Sequence, residues 1–133
     1  MKSARDAIAE AMSEAELLYN VTDAATKYGW KWAHFGSTVK LTRSGPVGDQ
    51  GAKGFPDLVL VHEGRGELWF VELKKEKGPV KAAQSEWLSA IALAGIRKGR
   101  SLMRSPMSPW NCAIWRPRDW LDGTVTRVLK GDA

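Results

Sequence analysis

At 133 residues, 44% of them hydrophobic and 26% charged, and with no internal repeat or low-complexity tract, the chain reads as one domain able to bury a core. Its formal net charge of +5 places an excess of bases on the surface, which suits a polyanionic partner. No apolar run approaches membrane-spanning length, Met1 to Met12 lacks a signal peptide's apolar core, and the lone Cys112 excludes an intramolecular disulfide, so a cytoplasmic protein is expected.

The stretch from Ser3 to Tyr28 predicts one long helix or two abutting ones, and Ser13-Glu14-Ala15-Glu16 has the form of a capping box. Leu17, Leu18, Val21, Ala24, Ala25 and Tyr28 recur at core-facing helical spacing. Glu14 falls on this stripe, whereas Glu16 aligns with Asn20, Asp23 and Lys27 on the polar face. An acid on a buried face costs energy unless something pairs with it. Two readings of Glu14 therefore stand: a first-turn glutamate favoured by the helix dipole, or an acid turned toward a metal or water, with Glu10 one turn earlier as the second candidate. The glycine-rich stretch Leu41 to Lys53 is expected to be a loop.

Two strands follow. Phe55 to His62 and Glu67 to Leu73 are rich in β-branched, aromatic and leucine residues, and Glu63-Gly64-Arg65-Gly66 supplies the turn chemistry of a hairpin. The register that pairs His62 with Glu67 also opposes Asp57 to Glu72. Their Cβ atoms would then lie about 4.5–5.5 Å apart. Period-two alternation puts Lys74 on the same face as Glu72 and turns Leu73 away. Two opposed acids repel unless a cation neutralises them, and oxygen ligands alone point to Mg²⁺ or Mn²⁺ over zinc. The bland alternative is a surface hairpin in which Glu72 and Lys74 are solvated.

Pro79 to Ala94 predicts an amphipathic helix ending at Gly95, with Gln84 at the head of a stripe made by Trp87, Leu88 and Ile91, from where it can reach the hairpin or cap backbone. Ile96 to Asn111 is expected to be a second loop, and the apolar run from Cys112 to Trp115 buries its cysteine as a small hydrophobe. Bases cluster around the acid pair: Lys40, Arg43 and Lys53 before it, Lys75 and Lys77 after it, and Arg97, Lys98, Arg100 and Arg104 in the second loop. Such groups suit backbone phosphates, which they bind without reading sequence; solvated surface bases are the alternative. Of the seven tryptophans, Trp69, Trp87 and Trp115 fall at core positions. Trp30, Trp32, Trp110 and Trp120 lie near turns, where core packing competes with stacking on unpaired bases, and His34 is a candidate substrate contact.

The ordered set Gly54-Phe55-Pro56-Asp57-Leu58-Val59, Val71-Glu72-Leu73-Lys74 with Lys77-Gly78, and Gln84 with Trp87-Leu88 and Gly95 resembles the VRR-NUC family within the PD-(D/E)xK nuclease superfamily. Glu14 to Leu17, Gly29-Trp30 with His34-Phe35, and Trp115-Arg116-Pro117 with Asp119-Trp120 extend the resemblance, toward phage and bacterial stand-alone members, from Glu14 to about Leu129. The resemblance implies an α/β restriction-endonuclease-like fold: a small mixed sheet flanked by helices, in the order helix, three strands, helix, strand, with residues 1–133 as a single nuclease domain. It implies a site in which Asp57 and Glu72 hold the metal with the Leu73 carbonyl. Lys74 would position the attacking water and stabilise charge on phosphate, Glu14 would complete the site through metal or water, and Gln84 would close it.

A carboxylate-bound Mg²⁺ or Mn²⁺ suits phosphodiester hydrolysis, and Lys74 suits electrostatic stabilisation better than general-base work. The expected activity is that of a metal-dependent endodeoxyribonuclease selecting branched, flap, single-stranded or Holliday-junction features, in the cytoplasm of a phage-infected or bacterial cell. No helix for reading base sequence is visible. Symmetric cleavage of branched DNA needs two sites, which a homodimer would supply. A non-catalytic DNA-binding relative and a sequence-specific restriction-type enzyme are the alternatives.

Overall fold

A computed structural model describes residues 2–35, 40–42, 45–47, 53–102 and 111–132, with backbone alone for 40–42, 45–47 and 95–102. The N-terminal segment forms two helices, α1 (Ala4–Ala11) and α2 (Glu14–Lys27), because each has its own start signal. Ser3 and Asp6 cap the first reciprocally, and Ser13 and Glu16 cap the second: the Glu16 N–H donates to Ser13 Oγ at 3.0 Å and the Ser13 N–H to Glu16 Oε1 at 3.3 Å. Each cap is worth about 1 kcal/mol and interrupts what periodicity alone would join.

The main sheet has the order β1-β4-β5-β6, formed by β1 (Lys31–His34), β4 (Leu58–His62), β5 (Glu67–Leu73) and β6 (Asn111–Trp115). β1, β4 and β5 are antiparallel neighbours, whereas β6 joins β5 in parallel after the crossover helix α3 (Ala82–Leu102). The sheet is thus mixed and flanked by helices, as expected. Two short helices, α4 (Pro117–Leu121) and α5 (Thr124–Lys130), follow β6 and were not part of the expected order.

Alternation sorts the strand residues onto two faces. Leu58, Leu60, Val71, Leu73 and Trp115 pack with Leu17, Val21 and Ala25 of α2 and with Val125 and Leu129 of α5 in one buried cluster. Burying each leucine or valine contributes about 1.5–3 kcal/mol, so this face holds most of the apolar stabilisation. Arg65 in the hairpin turn donates from Nη1 and Nη2 to the Leu129 and Val128 carbonyls at 3.0 and 2.9 Å, tying the hairpin to the last turn of α5, where Val128 also accepts the Gly131 N–H. The opposite face, covered by α3, carries Phe70, Glu72 and Cys112, and Phe55 meets Phe35, Phe70 and Trp87 there in edge-to-face contacts.

Two predicted loops differ from expectation. Within Leu41 to Lys53, Leu41 and Thr42 of β2 (Lys40–Thr42) pair with β3 (Gly45–Val47) in a two-stranded antiparallel ribbon. The helix predicted over Pro79 to Ala94 begins at Ala82 and runs through Gly95 to Leu102. A glycine inside a helix costs only about 1 kcal/mol relative to alanine, and the arginines and lysine that follow are good helix formers, so Gly95 does not stop it. Among the described residues no helix is long and apolar enough to cross a membrane.

Candidate active site

The β4–β5 register is the predicted one, running from His62 opposite Glu67 to Leu58 opposite Val71. One step further, Asp57 stands across from Glu72. Asp57 Oδ2 accepts the Leu73 N–H at 3.0 Å, so a side chain continues the ladder where β4 has ended. Glu72 is 1% exposed and Lys74 8%, at the buried end of β5. Lys74 Nζ lies 3.9 Å from Glu72 Oε2, which places the ammonium on the face with the acids. The Lys74 N–H donates to the Trp115 carbonyl at 3.0 Å, pinning the residue to β6.

Gln84 enters from the first turn of α3. Its Oε1 accepts the Lys81 N–H at 2.9 Å, which leaves the amide nitrogen to donate to Glu72 Oε2 at 2.8 Å. Capping and contact with the acid, alternatives in the sequence, are made by the two ends of one amide. The approach of α3 depends on Gly54. Its φ of +84° lies in the left-handed region, and a Cβ there would fall 2.6 Å from the Ala83 carbonyl carbon and 2.8 Å from its oxygen. The Trp87 indole N–H, donating to the Lys53 carbonyl at 3.0 Å, closes the same seam. Left-handed strain and the backbone clash together predict that Gly54→Ala costs about 2–4 kcal/mol in urea unfolding and weakens Gln84's hold on Glu72. A loss under about 1 kcal/mol would mean that α3 is not seated on this loop.

Electrostatically, Glu72 is the exceptional residue. Burial, and then the Asp57 carboxylate beside it, push its pKa up to about 7 against the opposing pull of Lys74. Its Oε1 is buried without a hydrogen-bond partner. A buried, unpartnered carboxylate oxygen facing a second carboxylate is an arrangement that a divalent cation would satisfy. Among the described residues no group of three or more His, Cys, Asp or Glu gathers, so the side-chain donors are two carboxylates. Mg²⁺ is commonly held by one or two carboxylates, with water and substrate phosphate completing its shell. The donor set fits.

Glu14 differs from its predicted placement. The buried stripe begins at Leu17, and Glu14, the first residue of α2, is exposed. Among the described residues it makes no hydrogen bond or ion pair with Asp57, Glu72 or Lys74. Water solvates a carboxylate at a helix start better than an apolar sheet face would. Glu10 is half-buried and taken up by Lys2 and by Lys77, the latter at 3.0 Å, so part of Lys77's charge is already matched. Lys53 and Lys75 are exposed. The side chains of Lys40, Arg43, Arg97, Lys98, Arg100, Arg104 and Trp110 lie outside the described residues.

Of the remaining tryptophans near turns, Trp30 is core: it is 4% exposed and its Nε1 donates to the Leu129 carbonyl at 2.9 Å. Trp120 packs against the core, and Trp32 is 44% exposed with its Nε1 on Thr26 Oγ1. His34 is exposed on β1. Cys112 is half-buried, its Sγ on the Leu88 carbonyl, and burial raises its thiol pKa.

Arg116 has a role that sequence reasoning did not assign. Its Nη1 lies 2.7, 3.2 and 2.8 Å from the carbonyls of Lys75, Glu76 and Gly78, gathering the turn that follows Lys74. Arg118 adds Glu76 and Asp6, each at 2.8 Å, and ties that turn to α1. Partners some forty positions apart leave no periodic trace; the one local sign is an arginine immediately before a helix-starting proline.

No curated protein matches the chain, and no solved structure does. Residues 48–99, a narrower span than the resemblance drawn from Glu14 to Leu129, match the family model of the VRR-NUC domain. That span contains Asp57, Glu72, Lys74 and Gln84, and the match supports a nuclease-type, DNA-processing function.

Proposed function

We propose that the chain is a VRR-NUC nuclease of PD-(D/E)xK type that hydrolyses phosphodiester bonds in DNA with Mg²⁺ or Mn²⁺ and prefers branched, flap or junction substrates. The observation that carries this reading is the buried Glu72, with one oxygen unmatched, set between Asp57 and Lys74. Asp57, Glu72 and the Leu73 carbonyl would hold the ion, with Glu14 contributing through water. When bound, the cation lowers the pKa of the attacking water and draws charge from the phosphoryl oxygens. Lys74 presents its ammonium to the charge that builds on phosphate, from a buried position where screening is weak. Gln84 holds Glu72 in one orientation, so its free oxygen keeps a fixed direction. Arg116 fixes the turn behind Lys74 and thereby the backbone from which Lys75 and, on leaving Glu10, Lys77 would reach backbone phosphates. A homodimer would place two such sites on one branched substrate.

The deciding experiment incubates the protein with supercoiled plasmid, linear duplex, flaps, forks and four-way junctions in Mg²⁺ or Mn²⁺. Cleavage of the structured substrates and its loss on chelation are the expected outcome. Discrete fragments from linear duplex would make the protein a restriction-type enzyme, and binding without cleavage would make it a non-catalytic relative.

A further inference from the structure

One row across the sheet aligns the acids with an aromatic ring that the proposed chemistry does not use. The β1–β4 register ends with His34 opposite Leu58, which places Phe35 opposite Asp57, and the Phe35 N–H donates to the Asp57 carbonyl at 2.7 Å. On the other side of Asp57 comes Glu72, and beyond it Ile114 of β6. Phe35 lies on the face shared with Glu72, since its ring meets Phe55 edge-to-face at 5.5 Å and Phe55 in turn meets Phe70 and Trp87. Despite this contact Phe35 stays 47% exposed. An exposed aromatic on an edge strand is ordinary by itself. This one sits a single strand spacing, about 4.8 Å, from the half-buried Asp57 and one strand further from the buried Glu72.

The spacing matters because successive nucleotides rise about 3.4 Å along a strand of duplex. A phosphodiester held at Asp57 and Glu72 would bring the base one or two nucleotides away to Phe35. In continuous duplex that base is covered on both faces by its neighbours and offers no surface for stacking. In a flap, gap or junction arm a face is free, and a ring can take it whatever the base.

We propose that Phe35 is a stacking platform for an unpaired nucleobase beside the scissile phosphate, and that it gives the site its selection for disrupted over continuous DNA. The proposal rests on the nuclease reading for the position of the phosphate. Base–aromatic stacking corresponds to about 5- to 150-fold in affinity. Loss of the ring should therefore remove a factor of that size from gapped or flapped DNA and leave duplex affinity unchanged.

The test uses the full chain with Ca²⁺ and oligonucleotides carrying pyrrolocytosine, a base analogue quenched by stacking, either in a short gap or fully paired. Quenching of the unpaired analogue alone is expected. Phe35→Leu, which keeps an apolar contact with Phe55, should abolish that quenching and erase the preference for gapped DNA, and Phe35→Tyr should restore both. In Mg²⁺ or Mn²⁺, the cut should map within about two nucleotides of the quenched base. The proposal is overturned if Phe35→Leu keeps the wild-type ratio of gapped to duplex affinity, or if it weakens both equally. It is also overturned if the substitution's sole effect is to split a dimer in sedimentation, which would make the β1 edge a contact between copies. Absence of cleavage from every substrate would defeat the nuclease reading, while the quenching result would still decide the stacking.

Discussion

Lys74→Ala is expected to bind DNA with near wild-type affinity and to cleave it at least about 10²- to 10³-fold more slowly. Lys74 is 8% exposed and its ammonium lies 3.9 Å from Glu72, so neither water nor a neighbouring side chain can readily replace its charge. Asp57→Asn should be at least as inactive, because it removes one of the two carboxylates that fit a cation. The asparagine oxygen can still accept the Leu73 N–H, so the fold should be spared the cost of leaving that donor unpaired, about 1–3 kcal/mol. Asp57→Ala should be equally inactive and less stable. Glu14→Ala and Gln84→Ala should slow cleavage by smaller factors, Glu14 because it is exposed and Gln84 because it acts through Glu72. Nicking rates on supercoiled plasmid, set beside gel-shift affinities in Ca²⁺, separate catalysis from binding. Full activity in Lys74→Ala or Asp57→Asn would refute the site.

In the presence of chelator, the protein should lose stability as pH rises from about 4.5 to about 7, the ordinary and the folded pKa of Glu72. Within this window the native state keeps a proton that the unfolded chain has released, so folding is favoured by acid. The contribution is fully present below the lower value and gone above the upper one. It amounts to about 3 kcal/mol, because each tenfold gain in proton affinity on folding is worth about 1.4 kcal/mol. Glu72→Gln cannot titrate and should lack this component. Urea unfolding of both proteins at pH 5 and pH 8 isolates it by difference. Mg²⁺ or Mn²⁺ should then stabilise the wild type more at pH 8 than at pH 5, because the cation competes with the proton for the same oxygens. Parallel pH profiles for the two proteins would show that Glu72 is not the strained group.

The acid pair is legible in the sequence because hairpin register is a local property. Turn chemistry between His62 and Glu67 and strict alternation on both strands suffice to oppose Asp57 and Glu72, and the β4–β5 pairing agrees. The stripe from Leu17 to Ala25 and the Ser13–Glu16 box are legible for the same reason. Glu14 shows where periodicity fails: it gives a residue's angle around the helix, and only the position of the sheet decides at which turn that angle becomes buried. Gly95 shows the limit of punctuation, since a residue that favours a helix end does not impose one.

The sequence by itself determined the first turn of α2, the strand alternation, the hairpin register and hence the two opposed carboxylates with a lysine on their side. All of these follow from interactions within a few residues or across one short turn. The tertiary structure alone decided that Glu72 is buried with an unmatched oxygen and that Gln84 turns its amide toward it. It alone brought Gly54 under α3, Arg116 onto the turn after Lys74, and Phe35 into the row of the acids. These contacts join segments far apart in the chain, where no local period records the partner and packing geometry selects it.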